Sequence, residues 1–332
     1  MTSGPTILTV ILNWRTAPMT LRSVTAATRA MQGLPGAITV VDNDSGDGSF
    51  EALVAGTAAN ARVRVVQAGR NGGFGAGNNV GIRLGLPGGL RPDLVYVLNS
   101  DAFPEPGAID ALRDHLVAHP DAGLAGSHIA GEDGHDHETC FRFPSVASEF
   151  EDAAATGPIS RLLARWRVPL GVPAASCRVD WLAGASVMIR TEVLENIGLF
   201  DEGFFLYFEE TDLCYRAAMA GWQTHFVRES RVTHIGSVST GMKEWRRVPG
   251  YWFDSRWRYF AKRGGRPLAL AATVARLAGS AILGARRLVQ RRIGPPPPHF
   301  LADLVTNALH QVRRPLVIPA DALVDSRRSL PQ

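Results

Sequence analysis

Over its first hundred residues the chain alternates short, β-branched apolar runs with stretches of mixed polarity. The runs Ile7–Leu12, Ile38–Val41, Val63–Val66 and Leu94–Leu98 are expected strands, and Pro18–Met31, Ser49–Ala59 and Gly77–Leu86 are expected helices. The runs do not alternate apolar with polar, so the strands should be covered on both faces. Strand, helix and strand in repetition imply right-handed crossovers in a mainly parallel, α/β sheet with flanking helices. Further on, a strand over Val179–Ile189, a short helix after Thr191, a helix from about Glu210 to Ala220, and strands near Thr224–Val227 and Val232–His234 complete a domain spanning residues 1–250. Between Gly131 and Val179 the pattern becomes irregular and reads as a surface insertion. Residues 251–332 form a helical, basic extension with a stiff break at Pro295–Pro298.

Composition alters this picture little. With 45% hydrophobic and 20% charged residues among 332, the chain has an ordinary globular make-up. Three cysteines, Cys140, Cys177 and Cys214, lack metal-ligand spacing and give no disulfide framework. The start of the chain has no basic n-region and its first apolar run is too short to span or export. A cytoplasmic location is therefore expected. The formal charge of +4 is mild, but no acidic residue stands between Ser255 and Ala302.

In a parallel sheet ligands bind beyond the carboxyl ends of the strands. Polar clusters follow three expected strands directly: Asn13-Trp14, Asp42-Asn43-Asp44-Ser45 and Asn99-Ser100-Asp101. They should converge on one rim. Asp42 suits a ribose or base edge, or equally an Asx turn. The glycine-rich stretch Asn71–Asn79 lets backbone amides approach an anion and opens a helix. Its spacing is not G-x-G-x-x-G and it follows the third strand, which argues against a nicotinamide-dependent oxidoreductase. Asp101 can hold a hard divalent cation, which in turn binds phosphate oxygens. Glu209, Glu210 and Asp212 open a helix after the aromatic run Phe204–Phe208. Acids are normal in a first helical turn, yet beside an aromatic wall one can be desolvated enough to act as a base. His234 can be a core histidine or a ligand.

Taken in order, the stretches Val41–Ser45, Asn71–Asn79, Asn99–Asp101, Trp181–Ala185, Gly198–Phe205 and Glu209–Asp212, with His234, resemble the family 2 glycosyltransferases of GT-A fold. The likeness is to the rhamnosyltransferase-like branch that builds bacterial surface polysaccharides, and it covers Ile7 to Gly264. It implies inverting transfer of a sugar, rhamnose in that branch, from a nucleoside-diphosphate sugar to a glycan or lipid-linked acceptor, with no nucleic acid as partner.

Residue by residue, the likeness implies that Asn13, Asp42, Asn43, Asn71, Gly73, Phe74, Gly77, Asn78, Asn99 and Ser100 line the donor. Asp101, the last residue of the family's D-x-D motif, and His234 would hold Mg2+ or Mn2+. Asn99 replaces the motif's first Asp. Glu210 stands where the family has its catalytic base, with Glu209 and Asp212 as substitutes. A catalytically inactive nucleotide-sugar-binding protein remains the other reading.

Beyond His234, the stretch Ser239–Arg247 reads as a basic loop, with Arg246 and Arg247 as diphosphate contacts or as part of a solvated linker. Leu270, Val274, Leu277, Ala281 and Leu288 form one stripe at helical spacing, and Arg276, Arg287 and Arg291 form another. Such a helix over residues 266–292 can lie on an anionic membrane, or pack on the catalytic domain or a second subunit.

Overall fold

The structure, a computed structural model, describes residues 4–236, 245–290 and 299–315. In chain order the elements begin β1 Ile7–Asn13, α1 Ala17–Ala30, β2 Gly36–Asp42, α2 Ser49–Thr57, β3 Val63–Gln67 and α3 Gly73–Leu84. Then come β4 Leu94–Asn99, β5 Ala102–Pro104, α4 Ala108–Ala118, β6 Ala122–Ala130, β7 Cys140–Phe141, α5 Val146–Ala154 and α6 Gly157–Leu162. The remainder is β8 Cys177–Val179, β9 Trp181–Leu182, β10 Ser186–Arg190, α7 Thr191–Ile197, α8 Glu209–Met219, β11 Gln223–His234, α9 Gly250–Val289 and α10 Phe300–Arg313. Pro295–Pro298 lie outside the described residues.

The main sheet runs β3-β2-β1-β4-β10-β6-β11-β5, with β8 beside β11, and β7 and β9 form a separate pair. Strands β3, β2, β1 and β4 are parallel, as is β6 with β11; β10, β5 and β8 pair antiparallel. The sheet is apolar on both faces because successive side chains point to opposite sides. Ile7, Ile11, Ile38, Tyr96 and Leu98 pack on one side with residues of α1 and α4. Leu8, Val10, Val41, Val95 and Val97 pack on the other with residues of α7 and α8. Helix α3 lies on β1 so closely that a Cβ at Gly77 would come within 2.4 Å of Leu12 Cδ1.

Three expected elements are corrected. The strand placed over Val179–Ile189 is three strands, β8, β9 and β10, broken where Asp180 turns aside to accept the Phe143 amide and again at Ala183-Gly184. The two strands near Thr224–Val227 and Val232–His234 are one strand, β11, with an irregularity between Val227 and Arg231. Strands β5 and β6 were not expected at all.

The stretch 131–179 also does more than decorate the surface. Its helix α5 buries Ser148, Glu149, Glu151, Ala153 and Ala154 and packs along α9. Helix α9 breaks at Gly264-Gly265, where the backbone is non-helical. A Cβ at Gly279 would stand 2.5 Å from the Phe150 carbonyl oxygen, so the second half of α9 and α5 meet through small residues. For that reason Ala269, Ala272, Thr273 and Gly279 are buried, while the expected apolar stripe faces outward, with Val274 62% and Leu288 82% exposed. Arg276, one of the basic stripe expected to meet a membrane or to pack on protein, turns inward to Glu149 (3.0 Å) and Asp152 (2.9 Å). Arg291 lies outside the described residues.

Candidate functional site

Parallel register aligns the strand ends: Asn13 pairs with Asp42, and Leu12 with Asn99. The Asn13 amide donates to Asp42 Oδ1 (2.7 Å), Ser45 Oγ donates to the same oxygen (2.6 Å), and the Ser45 amide donates to Oδ2 (3.1 Å). Asp42 and Asn13 are fully buried. The carboxylate is thus committed largely to the turn that follows β2, and it fixes Asn13 and Ser45 at the rim.

Asn43 donates to Asn71 Oδ1 (2.9 Å) and to the Gly73 carbonyl (3.2 Å), and Asn78 donates to the Phe74 carbonyl (3.0 Å). Both amides leave a buried oxygen, Asn43 Oδ1 and Asn78 Oδ1, without a hydrogen-bond partner among the described residues. An unsatisfied buried acceptor costs about 1–3 kcal/mol, so a ligand N–H or O–H would be bound favourably there. Gly73 begins α3 at φ +87°, and a Cβ on it would collide with the Phe205 carbonyl oxygen. Only glycine permits that approach, which the hydrogen bond from the Phe74 amide to the same carbonyl (3.0 Å) secures.

The second corner depends on β5. That strand pairs His234 opposite Ala102, bringing His234 Nε2 to 3.0 Å from Asp101 Oδ1 and 3.4 Å from the Asn99 amide nitrogen. Ser100 stands beside them, its hydroxyl 3.4 Å from Thr16 Oγ1. A carboxylate, an imidazole and an amide suit a divalent cation that takes its other ligands from phosphate oxygens and water. No group of three His, Cys, Asp or Glu side chains among the described residues could hold a metal by itself. A cation here would need the donor's oxygens.

The third corner is the start of α8. Tyr207 and Phe208 adopt left-handed backbone conformations, at φ +68° and +70°, and deliver Glu209 and Glu210 to the cleft. Glu209 is buried, whereas Glu210 is half-buried beside Gly184 and Phe74. Each carboxyl has an oxygen with no hydrogen-bond partner among the described residues. Burial raises both above the ordinary glutamate range, and the neighbouring Glu210 charge pushes Glu209 up further. The two corners meet through the turn between β9 and β10. Ala185 accepts the Asn99 amide (3.0 Å), and the adjacent Gly184 lies against Glu210.

Asp212 is held differently. It is buried between Arg216 Nε (2.8 Å) and Lys262 Nζ (2.7 Å) and is not presented to the cleft. Of the two arginines read either as diphosphate contacts or as part of a solvated linker, Arg247 is ion-paired with Asp303 of α10 and Arg246 is exposed; Ser239–Glu244 lie outside the described residues. Sequence reasoning missed Asn79, whose amide donates to the Phe200 carbonyl (2.9 Å) and whose oxygen accepts the Phe200 amide (3.1 Å). Its place in the Asn71–Asn79 stretch was the available signal. It also missed Lys262, which binds both Asp201 and Asp212 (2.7 Å each) from α9.

A largely parallel sheet whose carboxyl edge gathers amide and carboxylate side chains at three corners has the GT-A architecture of nucleotide-sugar transferases. The comparisons narrow the class. A family model described as "Glycosyltransferase like family 2" matches residues 5–248. The chain belongs to that family, and it is a glycosyltransferase of the rhamnosyltransferase-like kind, acting in glycan synthesis. It is 32% identical over 216 residues to N-acetylglucosaminyl-diphospho-decaprenol L-rhamnosyltransferase of Mycobacterium tuberculosis, covering 62% of this chain and 69% of that one. It is also 38% identical over 56 residues to rhamnosyltransferase WbbL of Escherichia coli K12, covering 17% of this chain and 21% of that one. Among solved structures it resembles a mannosyltransferase of Pyrobaculum calidifontis in complex with GDP-Man and Mn2+. That match has a TM-score of 0.54 and 16% identity, over 93% of this chain and 81% of the other. At that identity the likeness speaks to the fold. Nothing in the comparisons supports a nicotinamide-dependent oxidoreductase.

Proposed function

We propose that the chain transfers a hexosyl group, rhamnose in the reading its relatives favour, with inversion, from a nucleoside-diphosphate sugar to a lipid-linked acceptor. The observation that carries this is the paired carboxylate at the start of α8. Glu209 is buried and Glu210 half-open, and both keep an unpartnered oxygen. Of the two, Glu210 is the less enclosed and is the one that accepts a proton in this reading. The acceptor oxygen attacks the anomeric carbon as Glu210 takes its proton, and the diphosphate leaves from the opposite face. One displacement inverts the centre. Asn43 and Asn78, each with a buried amide oxygen that lacks a partner among the described residues, line the donor, and Asp42 acts mainly by fixing Asn13 and Ser45. Asp101 and His234, with Asn99 alongside, would hold Mg2+ or Mn2+, which supplies charge stabilisation on the departing diphosphate.

The C-terminal helices fit a membrane-bound acceptor. The outward face of α9 from Leu270 to Val289 carries no charged residue that is fully exposed, and its end is flanked by Arg286 and Arg287. By length and composition this helix is apolar enough to cross a membrane, and most of its apolar stretch is not buried in the protein. Arg276, ion-paired to α5, holds the helix sideways on the protein, so it lies along a surface rather than through one. In this reading the chain works peripherally at a membrane surface. The test is a thermal-shift and turnover screen of nucleotide sugars with and without Mn2+. A metal-dependent rise in Tm for one donor is expected, since a ligand of the native state stabilises it. Donor binding indifferent to metal would remove the cation from the account.

A further inference from the structure

Three large apolar side chains are more exposed than any others among the described residues: Leu162 (80%), Leu288 (82%) and Val289 (83%). Two belong to the last turn of α9. The third belongs to α6, far away in sequence, yet the two elements meet. Arg286 Nη1 donates to the carbonyl of Ala155 (2.9 Å), the residue that closes α5, and α6 begins at Gly157. Both α6 and the short 3-10 turn that follows it, Ala164–Trp166, lean on α5, which in turn packs along α9.

The chemistry around Leu162 repeats that at the end of α9. Arg161, Arg165 and Arg167 are exposed, and between Asp152 and Asp180 the chain holds four arginines and no acid. The acids of the neighbouring helix are already engaged. Glu149 is paired with Arg256 and Arg276, Asp152 with Arg276 (2.9 Å), and Glu151 is buried 3.8 Å from Arg167. Arg165 stands over the half-buried ring of Trp166 at 3.7 Å. Tryptophan and arginine both suit the layer between water and hydrocarbon, because ring or methylene stem can face one way and the N–H groups the other. An exposed leucine beside them gains from burial among acyl chains, and each arginine gains from anionic headgroups.

We propose that α6 and the Ala164–Trp166 turn form a second membrane contact, which seats the chain on an anionic bilayer together with the end of α9. The proposal rests on the reading of α9 given above and adds a contact off the axis of that helix. One helix lying on a surface fixes a line about which the protein can still roll. A second contact beside its end fixes a plane, and with it the direction in which the cleft meets a lipid-linked acceptor. Two contacts on one packed body also reinforce each other's affinity. Charge selects a bilayer over a second copy of the chain. A symmetric contact through this face would set arginines against arginines, whereas anionic headgroups complement them.

The test is sedimentation of the intact chain with phosphatidylcholine vesicles, with and without phosphatidylglycerol. Wild type is compared with Leu162→Gln, with the double variant Arg161→Gln/Arg165→Gln, and with Val274→Asp on α9. Binding to anionic vesicles should fall about tenfold or more in the arginine variant and about threefold or more in Leu162→Gln. Tm and transfer to a soluble acceptor should be unchanged in both, because the three side chains are exposed. Equal sedimentation of wild type and both α6 variants, with Val274→Asp binding more weakly, overturns the second contact and leaves the α9 reading standing. A wild type that ignores anionic vesicles overturns both. A dimer in lipid-free solution that Leu162→Gln separates would assign the surface to a second copy and overturn the proposal.

Discussion

The carboxyl edge of the sheet and the α5–α9 junction treat buried charge in opposite ways. At the sheet edge Asn43, Asn78, Glu209 and Glu210 each keep a polar oxygen without a hydrogen-bond partner among the described residues. At the junction the Glu149 carboxylate accepts from Arg256 (2.8 and 3.1 Å) and Arg276 (3.0 Å), with Arg256 fully buried. Unsatisfied groups cost stability unless a ligand completes them, whereas the Glu149 carboxylate is already paired and holds the fold, with Arg276 Nε the one atom of these three side chains left without a partner among the described residues. The same contrast separates Glu210 from Asp212 within one helix. Asp212 is closed between Arg216 and Lys262, whereas Glu210, beside Gly184, keeps one oxygen without a partner among the described residues.

Substitutions at the two regions should separate activity from stability. The largest expected effect is Asp101→Ala, which removes the charged member of the cation corner. Turnover and metal-dependent nucleotide binding should be lost, with Tm shifted by little, because the carboxylate ends the strand edge and pairs with His234 of the same corner. A parallel collapse of Tm would make Asp101 a structural residue and erase the contrast. Glu149→Gln should do the reverse. It leaves Arg256 and Arg276 without their shared counter-charge, and breaking a buried pair in this way costs about 3–5 kcal/mol. Calorimetry should show Tm falling by roughly 5 °C or more, with donor affinity of the folded protein preserved. The smallest effect is at the outward face of α9. Val274→Asp should weaken sedimentation with anionic vesicles and leave Tm and transfer to a soluble acceptor unchanged. Binding equal for wild type and variant would return this helix to a packing role.

Much of the site could be read from the chain because its members follow apolar runs directly. Asn13, Asp42 and Asn99 each close a strand whose pattern is unmistakable, and parallel register then brings them to one edge. What the pattern hid was the device that joins Asp101 to His234. Strand β5 is only three residues long, and β6, Ala-Gly-Leu-Ala-Gly-Ser-His-Ile-Ala, is built mostly of small residues with weak strand preference. The orientation of α9 was hidden for a different reason. Periodicity tells which residues share a helix face but not which face turns inward. That was decided by Glu149 and Asp152, more than a hundred residues away, and by the close approach that Gly279 permits. Arg247 escaped similarly, since Asp303 on α10 captures it.

The claim at the centre of this account is that Glu210 removes the acceptor's proton. Steady-state kinetics of Glu210→Gln, with donor affinity measured in parallel, test it most directly. Removal of a general base should lower kcat by about 100-fold to 10,000-fold, while donor Kd stays within twofold because the amide fills the same volume. The wild-type pH profile supplies the sign. The base must be ionised, and burial raises its pKa above the ordinary 4.5. Activity should therefore fall with acidity along a limb lying above that value, and the limb should vanish from the residual activity of the variant. A Glu210→Gln enzyme that keeps kcat within tenfold of wild type, with its acid limb intact, would contradict the assignment and move the base to Glu209.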